Sequence, residues 1–332
     1  MARKIAVVTG AAGFIGSHMV DLLLDRGFRV HGIDNLSSGR EANLDHCRSN
    51  PDLTFVVQDI RDLEADDQLF TNATYIFHFA GMGDIVPSIE HPVEYMATNV
   101  MGTVRVLEAS RHAGIEKFIY AASSSCYGLA TELPTRESSQ IDPQYPYALS
   151  KYLGEQAVFH WGNVYNLPVI SIRMFNVYGP RSRTSGAYGA VFGVFLAQKL
   201  AGKPLTIVGD GTQTRDFVFV TDVVKAYLLA AESGRRGEVY NLGAGKPESV
   251  NRLVELIGEK EIVHVPKRPG EPDCTWADIS RIKTHFGWQP EVPFEEGVAT
   301  MLANIDYWRN APLWDTTSIQ KATETWFKML SK

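Results

Sequence analysis

Tyr147 and Lys151 stand four residues apart behind two prolines, Pro143 and Pro146, in the run YPYALSK. Proline suits a helix start, and a spacing of four sets the phenol and the ammonium one turn apart on one face. Such a pair can take a proton from an alcohol. A phenol of pKa ~10 needs a shift of about 3 units, or ~4 kcal/mol, to act as a base near neutral pH. One ammonium at roughly 5 Å supplies ~3 kcal/mol at an effective dielectric of about 20, and the positive ring of an oxidised nicotinamide adds to it. Of the 13 tyrosines, only Tyr147 has a lysine at this offset. Ser123 follows the strand-like run Lys117–Ala121 and offers a hydroxyl to hold the oxygen that Tyr147 would deprotonate. The plainer alternatives are a surface Tyr–Lys pair and a turn capped by the adjacent Ser123, Ser124 and Ser125.

A partner for the electrons is signalled near the amino terminus. Gly10, Gly13 and Gly16 lie in TGAAGFIG, directly after the strand-like Ile5–Val8, with Phe14 and Ile15 opening a helical pattern. Glycines there let the backbone turn and approach a pyrophosphate, and the helix start supplies N–H groups and positive dipole. The second strand ends at Asp34, where an acid accepts the ribose hydroxyls of an adenine nucleotide and repels a 2′-phosphate. NAD is therefore expected over NADP. A ligand-free glycine turn, and Asp34 capping a turn with Asn35 and Gly39, are the alternatives.

These groups need a scaffold. Apolar runs at Ile5–Val8, Val30–Ile33, Thr54–Val57, Tyr75–Phe79, Lys117–Ala121 and Val169–Arg173 alternate with helical patterns such as Ile15–Arg26. That predicts an α/β fold: a Rossmann-type doubly wound parallel sheet, with a smaller mixed α/β substrate domain. The expected division is 1–176 for the NAD-binding part, with part of 214–243 returning to it, and 177–332 for the smaller part. Further strands are expected at Arg215–Val220 and Val239–Leu242, and helices at Arg252–Gly258, Phe294–Trp308 and Ser318–Leu330.

Composition narrows the partners. The 332 residues are 45% hydrophobic and 21% charged, with 32 basic and 38 acidic residues and a net charge of −6. Basic residues are spread along the chain, so no nucleic acid or anionic membrane partner is expected. The apolar start is too short for an export signal, and the most apolar later stretch, Tyr188–Leu200, is interrupted by Gly189, Gly193, Gln198 and Lys199. Cys47, Cys126 and Cys274 are too few and too scattered for a disulfide framework or a zinc site, which suits a cytoplasmic location. The histidines, His78 and His160 among them, show no metal-ligand spacing.

Taken together, these segments resemble extended short-chain dehydrogenases/reductases acting on nucleotide sugars, and within them the UDP-glucose 4-epimerase-like group. The resemblance runs nearly end to end, through TGAAGFIGSH, DNLSSG (34–39), QDIRD (58–62), FHFAG (77–81), TNVMGT (98–103), SSSCYG (123–128), YPYALSK (145–151), RMFNVYGP (173–180), GDGTQTRDFVFV (209–220), NLGAG (241–245) and RPGEPDCTWAD (268–278). It implies an isomerase that uses NAD, with Ser123, Tyr147 and Lys151 catalytic. Asn35, Ser38 and Gly39 would join the cofactor site. Asp59 and Ile60 would flank the adenine, Phe79, Ala80 and Gly81 would run along the cofactor, and Asn99 would lie near its phosphates. Ser124, Asn176, Arg215 and Arg268 would contact a nucleotide-sugar substrate, the arginines gripping its diphosphate.

The same resemblance implies a homodimer formed through the helices around 95–113 and 147–164. Related dehydratases and decarboxylases carry an acid where this chain has Ser123–Ser125, which points to epimerisation at C4 of a UDP-hexose through a 4-keto sugar. Another nucleotide-sugar epimerase, dehydratase or reductase, or a non-catalytic NAD-binding regulator, are the alternatives. Two departures stand out: Gly83 where several epimerases have lysine, and Thr275 where some have tyrosine, which leaves room for an N-acetyl group.

Overall fold

The computed structural model describes residues 3–182 and 191–330. The beginning of the Tyr188–Leu200 stretch lies outside the described residues. Its remainder forms a helix, Val191–Leu200, and among the described residues no helix is long and apolar enough to cross a membrane.

Six strands come from the first half: β1 (Ile5–Thr9), β2 (Arg29–Asp34), β3 (Leu53–Val57), β4 (Tyr75–His78), β5 (Lys117–Ser123) and β6 (Val169–Met174). After the short β7 (Asn176–Tyr178), β8 (Leu205–Val208), β9 (Thr214–Arg215) and β10 (Phe217–Phe219), the chain returns as β11 (Glu238–Leu242) to the edge of the main sheet. The seven-stranded order is β11-β6-β5-β4-β1-β2-β3, and every pairing is parallel. Strands β4 and β5 are buried almost throughout, as a sheet covered on both faces requires. One face packs on α1 (Phe14–Asp25) through Met19, Val20 and Leu23, and on a later helix, Val220–Glu232. The other face packs on the helix Thr103–Ala113 and on the long helix Pro146–Tyr165. A separate core gathers Phe195, Leu205, Leu253, Val298, Met301 and Trp308 from the carboxy-terminal half.

Two expected elements break, each for a physical reason. The run Arg215–Val220 is not one strand. It is interrupted at Asp216, whose buried carboxylate accepts the N–H groups of Ala244 (2.6 Å), Gly245 (3.0 Å) and Ala277 (2.8 Å), and the helix begins already at Val220. The helix expected over Phe294–Trp308 stops at Ala303, because the Asn304 amide turns back to the Thr300 carbonyl; a 3-10 turn, Ile305–Trp308, follows.

The helix Pro146–Tyr165 matters most for the chemistry. Tyr145 precedes it in extended conformation, Pro146 occupies its first turn, and Asn166 ends it in the left-handed region. A buried ion pair fixes it to the sheet: Glu155 meets Arg173 of β6 at 2.6 Å and also accepts the Ser171 hydroxyl at 2.7 Å. Arg173 spends another nitrogen on the Tyr127 hydroxyl at 2.8 Å. Burying an ion pair is costly unless its remaining hydrogen bonds are made, and here they are.

Candidate active site

One cleft of about 880 Å³ opens along the carboxyl ends of the parallel strands, where ligands of such sheets bind. It lies in the upper part of the ~300–1,000 Å³ range of small-molecule sites. Its wall includes Gly10, Gly13, Phe14, Ile15, Gly16, Asp34, Asn35, Ser38, Ile60, Phe79, Ala80 and Gly81. Ser123, Ser124, Tyr147, Lys151, Asn176, Arg215, Arg268 and Thr275 line the same space. Gly39, Asp59 and Asn99 do not line it.

Those three sit behind the wall and hold it. Asn99 lies in a π-helical stretch, Ala97–Gly102, and spends its amide on Met82 N–H (2.8 Å), Met82 carbonyl (3.0 Å) and the Ser150 hydroxyl (2.9 Å). Its side chain therefore anchors the segment after β4. Asp59 is bridged by Arg61 at 2.7 Å and by Asn35 at 2.7 Å, which holds its carboxyl at about 2. Gly39 lies directly under the Asp34 carboxylate.

The tyrosine and the serine meet. Tyr147 Oη donates to Ser123 Oγ at 3.3 Å, and Ser123 Oγ is 2.8 Å from Ser125 Oγ. Ser123 also accepts the Ser125 N–H, so the turn-capping role and the site role coexist in one residue. Lys151 is buried against Tyr120, 4.4 Å from its ring centroid, and burial lowers its pKa to about 7, opposed by Glu155 one turn along the helix. The acidification expected of Tyr147 rests on Lys151 together with an oxidised nicotinamide, and burial acts against it. Burial is the largest effect on the phenol and raises its pKa, the Ser123 hydrogen bond opposing. A phenolate loses hydration in this pocket, which disfavours the charged form.

The cofactor half fits a dinucleotide. A side chain at Gly10 (φ +71°) would come within 2.8 Å of Ala80 N, and one at Gly16 within 2.0 Å of the Gly10 carbonyl. The loop is thus folded so closely on itself that only glycine serves, leaving the first turn of α1, whose N–H groups have no intrahelical partners, on the cleft wall. Asp34 accepts Ala12 N–H (3.0 Å) and Leu36 N–H (2.8 Å), and burial raises its pKa. It caps the turn and still borders the cleft.

On the substrate side, Arg215 pairs with Glu271 at 2.8 Å and Arg268 lies 3.8 Å from the same carboxylate. The two guanidinium groups are thus collected at one place by an acid that spacing alone did not single out, although it stands three residues after Arg268. Thr275 donates to Asn176 Oδ1 at 2.7 Å and accepts Asp216 N–H at 3.2 Å, so it positions Asn176 rather than filling a loop. Tyr145, Asp84, Glu271 and Trp326 also line the cleft and were missed. Tyr145 could have been found from its stacking offset to Tyr147, 6.2 Å between centroids; Trp326 reaches the site only through the fold.

His78 is fully buried between the hydroxyls of Thr9 (2.6 Å) and Thr103 (2.9 Å), and its pKa falls to about 3. Elsewhere Asp21, His46 and Cys47 place their ligand atoms within 4.8 Å of one another, but Asp21 is already neutralised by Arg181 at 2.7 Å.

Lys151 has a testable thermodynamic signature. Its folded pKa lies below its unfolded one, so between pH 7 and about 10.5 the unfolded chain binds the extra proton and stability rises with pH. Lys151→Met should raise the melting temperature at pH 6 by on the order of 5 °C, and this gain should shrink as the pH climbs toward 10, read by calorimetry across that range.

Residues 6–243 match the model of the NAD dependent epimerase/dehydratase family. A UDP-glucose 4-epimerase of Mycolicibacterium smegmatis is 38% identical over 311 residues, covering 92% of this chain and 98% of that protein. Among solved structures, a UDP-N-acetylglucosamine 4-epimerase from Methanobrevibacter ruminantium, in complex with UDP-N-acetylmuramic acid, superposes with TM-score 0.87 at 33% identity, covering 92% of this chain and 99% of that one. A UDP-glucuronic acid 4-epimerase from Bacillus cereus, in complex with UDP-glucuronic acid and NAD, gives 0.84 at 32% identity, with the same coverage. With a glycine cradle, an acid at the end of β2 and a Ser–Tyr–Lys set in one cleft, this chain belongs to the NAD dependent epimerase/dehydratase family.

Proposed function

We propose that the chain epimerises a UDP-hexose at C4 through a transient 4-keto sugar, with Tyr147 as the base. The observation that carries this is the Tyr147–Ser123 contact at 3.3 Å, next to the hydroxyls of Ser124 and Ser125 in the same wall. Ser123 holds the C4 oxygen, Tyr147 removes its proton, and the same phenol returns it after the keto sugar has presented its other face. NAD, when bound along the glycine loop and Asp34, accepts a hydride and gives it back. Arg215 and Arg268, drawn together by Glu271, grip the diphosphate, so the sugar is held from its far end and is free to turn about that linkage. Two copies pair through the exposed Val93, Met101, Leu149 and Leu153 of the helices around 92–113 and 146–165.

Asp84 favours a second reading. This carboxylate borders the cleft and its charge reaches Tyr147, so a dehydration would draw its acid from there. Product analysis decides between them. Incubation with UDP-glucose and no added NADH should yield UDP-galactose of equal mass, and Tyr147→Phe should lose at least ~10² in rate. A product lighter by one water would establish dehydration instead, and full activity of the Phe variant would leave a binding protein.

Thr275 bears on the sugar. A short side chain at this place leaves room beside Asn176 for a 2-N-acetyl group. Thr275→Tyr should lower turnover of UDP-N-acetylglucosamine at least tenfold more than that of UDP-glucose, which also loses the Asn176 contact; an unaltered ratio of the two would reject the assignment.

A further inference from the structure

The 3-10 turn Ile305–Trp308 comes from the carboxy-terminal half, yet it touches the cofactor loop. Trp308 is fully buried in the second core, which fixes the turn. From there the Tyr307 hydroxyl donates to Asn43 Oδ1 at 3.1 Å and lies 3.4 Å from the Arg181 carbonyl. Asn43 is itself buried, and its amide donates to the Ala12 carbonyl of the glycine loop at 2.8 Å. Arg40, whose backbone N–H shares that carbonyl at 3.0 Å, sets its guanidinium 5.3 Å from the Tyr307 ring centroid. Arg181 is pinned from the other side by Asp21 of α1 at 2.7 Å. Tyr307, Asn43, Arg40 and Arg181 all border the cleft.

We propose that Tyr307 is a cofactor-retaining residue: its hydroxyl latches the carboxy-terminal half to Asn43 over the glycine loop, so an anionic dinucleotide can leave only after this contact opens. Arg40 beside the latch carries a charge that a pyrophosphate would complement, while Arg181 is already paired with Asp21. A chain that uses the same dinucleotide for both halves of its reaction gains from slow release. The latch does not depend on which sugar is turned over, so it stands or falls apart from the substrate assignment.

The test is the rate at which NAD leaves the full-length holoenzyme, followed by the fluorescence of excess NADH that replaces it. Tyr307→Phe keeps the ring beside Arg40 and Trp308 and removes only the hydroxyl, so folding is not at stake. Loss of one hydrogen bond across the mouth should speed release about fivefold, and Tyr307→Ala, which also removes the ring, by tenfold or more. The cofactor-free melting temperature of the Phe variant should fall by no more than about 3 °C. Release within twofold of the parent in the Phe variant would overturn the proposal, as would a fall of about 10 °C or more in that melting temperature, which would mark general loosening as the cause of faster release.

Discussion

Everything in the cleft depends on burying a phenol and an amine one helical turn apart. Desolvation pushes the two groups in opposite senses: it raises the Tyr147 pKa and lowers that of Lys151 to about 7. A phenolate in this dry space is stabilised by any positive charge placed close to it. In the proposed cycle the oxidised cofactor would bring a positive ring to the same dry space, which would favour phenolate. Under that proposal the proton step would be tied to the hydride step.

Carboxylates organise the walls around that pair. Glu155 locks the Tyr147–Lys151 helix to β6 through Arg173, Asp34 shapes the turn beside the glycine loop, and Asp216 gathers the backbone of 244–245 and 277 behind Asn176. Glu271 performs the same office for Arg215 and Arg268. Glu155, Asp34 and Asp216 are buried and satisfied by N–H donors or a guanidinium, which is what makes a buried acid tolerable, while Glu271 is partly exposed. The result is a rigid cofactor side and a substrate side whose positive charge is concentrated away from the base.

Much of this was legible in the residues. β-branched runs marked the strands within two residues, since strands buried on both faces need continuous apolar stretches and leave little else in the sequence to confuse them. The glycine loop, Asp34, Ser123, Tyr147 and Lys151 converge on one cleft, because parallel topology delivers every strand's carboxyl end to the same edge. What was illegible arises from contacts distant in sequence. Asn99 is turned inward by a π-helical stretch and consumed by Met82, which no spacing rule discloses. The break at Asp216 follows from three backbone donors far along the chain, and Trp326 and Tyr307 enter the cleft from the carboxy-terminal half. Pairwise charges at Tyr147, from Lys151 and a bound nicotinamide, leave out the hydration that burial removes, which acts in the opposite sense.

The central claim is most directly tested by titrating the Tyr147 phenol itself, using tyrosine labelled at the ring carbon bearing the hydroxyl and the Tyr147→Phe spectrum to assign its resonance. Without NAD the signal should remain that of a phenol up to about pH 10, and with NAD bound it should change to phenolate within about one unit of neutrality. A resonance that stays protonated to about pH 9 with oxidised NAD bound would contradict the account.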